Sequence, residues 1–196
     1  SLSTDQIRSL VAATQVKALT SDQASSLTSE QIVALTTAQI SALSTDDVAA
    51  LTSDQVAAIE TEDLSKMLAG QIKALTSDQV ISLTTEQLEA LSTLQISALT
   101  TNALSALTSD QIMALETADL AKLTTGQVRA LTTEQVASLT TDQVRALTIA
   151  QTVALSSDQV VALTTDQISQ VVLANLQKMT TDQIVALTTD QLLNLT

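Results

Sequence analysis

No histidine, cysteine, proline or aromatic residue occurs among the 196 residues, and glycine occurs only twice. Each absence removes a class of chemistry. Without cysteine there are no disulfides and no thiolate metal sites, although a missing cysteine leaves the compartment open. Without histidine or cysteine the usual general bases and activated nucleophiles are gone, so no catalytic residues are expected and the chain is read as a non-enzyme. Without aromatics there are no platforms on which bases could stack. Basic residues are scarce, 8 against 21 acids, for a net charge of −13. That balance argues against nucleic acid, whose phosphates call for Lys and Arg. No run approaches the roughly 18 apolar residues of a membrane span, so no membrane insertion is expected. No signal peptide is visible at Ser1, and the irregular start and the stop at Thr196 are read as those of an excerpt from a longer protein.

What is present is Leu, Ile, Val and Ala in quantity, arranged with a period of eight. From Leu19 to Leu195 every eighth position is Leu, except Ile59, Met67, Val171 and Met179. The unit is L-[TS]-[TS]-[DE]-Q-[VIL]-x-A, clean over Leu51–Ala58 and Leu139–Ala146. Before Leu19 the register slips by one position. Leu2-Ser3-Thr4-Asp5-Gln6-Ile7 matches the unit, but Leu2 and Leu19 are separated by two octads and one position more. Residues 1–18 are therefore read as irregular first repeats, and 19–196 as one continuous octad array.

An octad suits neither a strand nor a long helix. Leu and Val/Ile lie five apart, which in a strand puts them on opposite faces. Turns of a β-solenoid also need Gly, Asn or Pro, which are missing or rare. In one long helix, eight residues turn through roughly 800°, overshooting two turns by about 80°, and the apolar stripe drifts around the axis. The helix must therefore restart in every unit. The start signals are in place. Thr132-Thr133-Glu134-Gln135 is a capping box, with Thr132 as N-cap and Gln135 third in the helix. Leu131 before the cap and Val136 after it form the hydrophobic staple, and Glu134 sits in the first turn where the helix dipole favours an acid. Ser or Thr fills the cap in 19 of 23 units and Gln its place in 17 of 22, so the device recurs along the chain. Helices this short are marginal alone. Each has to bury its Leu, Val/Ile and Ala against neighbours, as in a stacked array. The fold class expected is all-α: an α-solenoid or superhelix of short single helices, one per eight-residue repeat.

A slower rhythm overlies the octad. Lys66, Lys122 and Lys178 recur at a fixed interval of seven octads, or fifty-six positions. Lys17, Lys73 and Arg129 keep the same interval, as do Gly70 and Gly126. A duplicated cassette accounts for this plainly. A geometric reading is about three and a half octads per superhelical turn, with two turns per cassette.

No metal or cofactor site is expected. Fourteen of 22 units carry an acid at the second helical position, among them Asp142, Asp158, Asp166, Asp182 and Asp190. A carboxylate ladder could take calcium, but the helix dipole explains those acids without it. Thr pairs such as Thr132-Thr133 and Thr140-Thr141 form a regular array that could order water, yet the first of each pair serves as a cap. The seventh position holds Lys73, Ile81, Glu89, Met113, Arg129, Arg145 and Val153 in turn, as a surface facing solvent or a partner does.

The L-T-T-D-Q-V-x-A-L octads resemble arrays inside very large bacterial secreted or surface proteins of adhesin or haem-utilisation and adhesion type. The resemblance implies an extracellular or cell-surface stalk, spacer or filament that associates with neighbouring repeats or copies of itself. It does not carry haem binding over, since His, Cys and Tyr are all absent. A protein- or cation-binding module using the seventh positions and the acidic ridge is the alternative.

Overall fold

The computed structural model describes residues 2–195. Among them are 24 short helices and no strand. Two compact units are present, Ser1–Leu99 and Thr100–Thr196, and each is described by itself.

Within each unit one octad makes one helix of four to six residues. The octad at Leu131 is representative. Thr132 is extended (φ −72°, ψ 161°) and its hydroxyl accepts the Gln135 N–H, while the Gln135 side chain closes the box on the Thr132 N–H at 2.9 Å. The helix Thr133–Ser138 follows and stops at Leu139, where φ −55° and ψ 140° take the chain out of the helical region. The next cap, Thr140, is extended again. A corner is thus two extended residues, Leu then Thr. No described residue has a positive φ, which is why the array turns corner after corner without glycine.

The first repeats show how the register slip is absorbed. Residues Ala12–Val16 form a π turn, in which the Val16 and Lys17 N–H groups reach back five residues to Val11 and Ala12. Val11 N–H donates to the side chain of Gln15, four residues on instead of three. The ninth residue widens one turn, and Val16 still lands fully buried.

Burial follows the octad. The Val/Ile/Leu position and the Leu before the cap line the core: Val48, Val56, Ile72 and Leu88 are fully buried, and Leu51, Leu83 and Leu131 nearly so. Alanine at the eighth position differs from expectation. Ala34 is buried, but Ala50, Ala74, Ala130 and Ala146 are half-buried. These methyls lie at the rim of the core, beside the corner.

Helices touch those three octads away. Thr45–Ala50 packs on Ala69–Ala74, Ser53–Ala57 on Ser77–Ile81, and Thr125–Ala130 on Ile149–Ala154. Each unit is a solenoid whose neighbours along the axis are successive turns.

Candidate functional site, an interturn glutamine ladder

The octad glutamine does more than cap. From Gln31 onward it is buried, with Gln39 1% and Gln79 2% exposed. Its two ends do different work. In Gln79 the carbonyl oxygen accepts the Thr76 N–H at 2.8 Å. The amide Nε2 donates across to the preceding turn, to the carbonyls of Val48 (2.9 Å), Ala49 (3.3 Å) and Leu51 (2.6 Å). Those three carbonyls lie at the C-terminal end of a helix four octads upstream, where the last carbonyls of any helix lack intrahelical partners. One side chain therefore satisfies the start of its own helix and the end of another.

The geometry repeats in both units. Gln55 reaches Ala24, Ser25 and Leu27; Gln95 reaches Leu64 and Met67. In the second unit Gln143 reaches Ile112, Met113 and Leu115, and Gln167 reaches Val136, Ala137 and Leu139. The separations are 28, 30 and 31 residues, with 28 equal to three and a half octads. At the register slip they lengthen by one: Gln39 reaches Ile7, Arg8 and Leu10 across 32, 31 and 29 residues. Gln23, in the first turn, is exposed, and its side chain closes its own cap.

Reading these glutamines as capping-box residues finds only half of this. A capping box accepts Glu as readily as Gln. Yet this position never carries Glu, although the position before it is acidic in 14 of 22 units. A position that carries Gln in 17 of 22 units and Glu in none favours an N–H donor, and that bias was the available signal.

Five rungs depart from glutamine: Asp47, Asp63, Ala103, Asp119 and Asn175, all of them buried. Asp47 and Asp63 are 1% and 6% exposed. Asp47 keeps the cap, accepting the Ser44 N–H at 3.0 Å, and its other oxygen accepts the Ser21 hydroxyl at 3.3 Å. Asp63 accepts the Thr37 hydroxyl at 2.5 Å. Asn175, a methylene shorter than Gln, reaches the Leu147 carbonyl at 2.7 Å and the Thr152 hydroxyl at 3.0 Å.

The surface carries the other positions singled out above. Asp142, Asp158, Asp166, Asp182 and Asp190 are exposed, and among the described residues no three acids gather as a metal cluster. Lys73, Ile81, Glu89, Met113, Arg129 and Arg145 are exposed at the seventh position, and Val153 is half-buried. Arg145 pairs with Asp142 at 3.5 Å, both well exposed, and a pair of this kind contributes little. Thr132 and Thr140 hold their caps, leaving Thr133 and Thr141 exposed beside them. Among the described residues no helix is long and apolar enough to cross a membrane.

Comparison with curated proteins returns no match. The model of one family, the ALTTAQ repeat, matches in tandem over residues 29–58, 56–93, 80–115, 112–149 and 144–171. Its six letters stand unaltered at Ala34–Gln39, which run from the end of one helix through the corner and cap to a ladder glutamine. With these matches running from residue 29 to residue 171, the chain belongs to the ALTTAQ repeat family, a repeat-built structural protein.

Proposed function

We propose that the array is a spacer, stalk or filament segment of a bacterial surface or secreted protein. The observation that carries this reading is the ladder. Within each unit the most regularly placed buried polar group in the octad joins a turn to the one before it, an arrangement that favours growth along one direction. A solenoid of this kind gains length by adding units that contact only their neighbours. The seven-octad recurrence belongs to the same proposal. Two steps of 28 residues, the ladder's shortest separation, make one such cassette. They would return Lys122 and Lys178 to one face of the second unit.

Duplicating residues 131–186 within the chain tests the spacer. Small-angle scattering should show the longest dimension growing by a fixed increment per copy at constant cross-section. A cross-section that grows with copy number sinks the reading. Antibody labelling of intact source cells tests location: signal before lysis supports a surface role, and signal only after lysis opposes it.

A second reading, binding of another protein or a cation, draws on the exposed Val161, Val185 and Leu193 and on the exposed acids. Calorimetric titration with calcium checks the cation form; absence of heat and of any change in melting temperature retires it.

A further inference from the structure

The rungs are unequal, and the inequality is written into the sequence. Gln55, Gln71, Gln79, Gln87 and Gln95 of the first unit each place two or three amide–carbonyl bonds on the preceding turn. The side chains of Asp47 and Asp63 have no N–H to donate. By the 31- and 28-residue offsets of the other rungs, their counterparts upstream are the carbonyls of Val16 and Leu19, and of Ile32 and Leu35. Each aspartate instead accepts one interturn hydroxyl, Ser21 or Thr37, and in the Asp63 turn the Ser41 hydroxyl also donates to the Lys66 carbonyl at 3.2 Å. Both carboxylates are buried, and among the described residues neither has a Lys or Arg partner. Burying a carboxylate without a cation opposes packing.

We infer that the glutamine ladder carries tension along the Ser1–Leu99 unit, and that Asp47 and Asp63 set yield points in it. Under tension this unit opens in octad-sized steps, the first at the turns that Asp47 and Asp63 hold. Each octad released supplies about 27 Å of fully extended chain, less the distance it spans when folded. Opening is stepwise because, among the described residues, each closely packed helix pair joins successive turns, so one turn can leave while the rest stay packed. Such a segment yields gradually where a globular domain gives way at once. The inference deepens the spacer reading, and the two fail separately: a chain that steps as described but does not lengthen with added cassettes keeps the ladder and loses the spacer.

The test is optical-tweezers extension of the full chain, with handles at exposed positions through Ser9→Cys and Glu89→Cys. The expected record is a staircase whose first step comes at the lowest force. Asp47→Gln with Asp63→Gln should raise the force of that first step and leave the later ones in place. Should that variant fail to fold, Ser21→Ala with Thr37→Val removes the hydroxyl bonds to the two aspartates and should lower the first step. A single all-or-none release overturns the inference, and so does a first-step force unmoved by the variant measured.

Discussion

Asn175 donates to the Thr152 hydroxyl at 3.0 Å, and both residues depart from the octad. Thr152 occupies a position that is usually Val, Ile or Leu, and Asn175 one that is usually Gln. The Thr152 hydroxyl in turn donates to the Thr148 carbonyl at 3.1 Å. The shorter amide misses part of the usual carbonyl set, and the introduced hydroxyl gives its free hydrogen a partner. Thr152→Val alone leaves that hydrogen buried among methyl groups, a loss of about 1–3 kcal/mol. Thr152→Val with Asn175→Gln restores the octad at both sites and should recover the loss. Urea midpoints of the two single variants and the double variant check this, with a coupling above about 0.5 kcal/mol expected for groups in contact. Additive midpoints would contradict it.

Gln79 and Gln23 share a role at the cap but differ at the ladder. Gln79→Leu strips the Thr76 N–H and the Leu51 carbonyl of their buried side-chain partner, leaves the Val48 carbonyl only the Leu51 N–H, and should cost about 1–3 kcal/mol or more. Gln23→Leu removes a bond at an exposed cap and should cost no more than about 1 kcal/mol. Equal losses in thermal or chemical denaturation would mean that the cap, not the ladder, makes these glutamines matter.

Most of the local architecture was legible in the residues. Thr132, Gln135, Leu131 and Val136 announce a helix start by type and spacing, and the mismatch between eight residues and whole helical turns forces that helix to end within its octad. These are short-range effects, settled within one unit. The inward turn of Gln79 was harder to see. Its partners at Val48 and Leu51 are 31 and 28 residues away along the chain, and its outer half already had a sufficient local role. The half-burial of Ala50 and Ala74 was missed for a similar reason: apolar type says that a residue can be buried, while its place beside the corner decides how far.

The cap hydroxyls separate cleanly from their neighbours. Thr132→Ala removes the acceptor of the Gln135 N–H and should cost about 0.5–2 kcal/mol. Thr133→Ala, one residue on and exposed, should stay within about 0.5 kcal/mol of the parent. Hydrogen exchange at Gln135 offers a local readout, faster in the first variant and unchanged in the second.

Two leucines test the core in the same way. Leu88 is fully buried, and Leu88→Ala should cost about 2–5 kcal/mol. Leu94 is 70% exposed at a second helical position, and Leu94→Ala should be close to neutral. A large effect at Leu94 would reveal a contact on the outer surface, and the oligomeric state of that variant would then show whether another copy supplies it.

The widened turn at Ala12–Val16 has a consequence for how such a gene can change. Tandem coding repeats are prone to copying slips, and in a rigid array an added residue would throw every later unit out of phase. Here one extra residue is stored in a bulge, Val16 still reaches the interior, and downstream pairing is offset by a single position. An added residue of that size is therefore confined to the turn where it sits, and the octads after it keep their places in the stack.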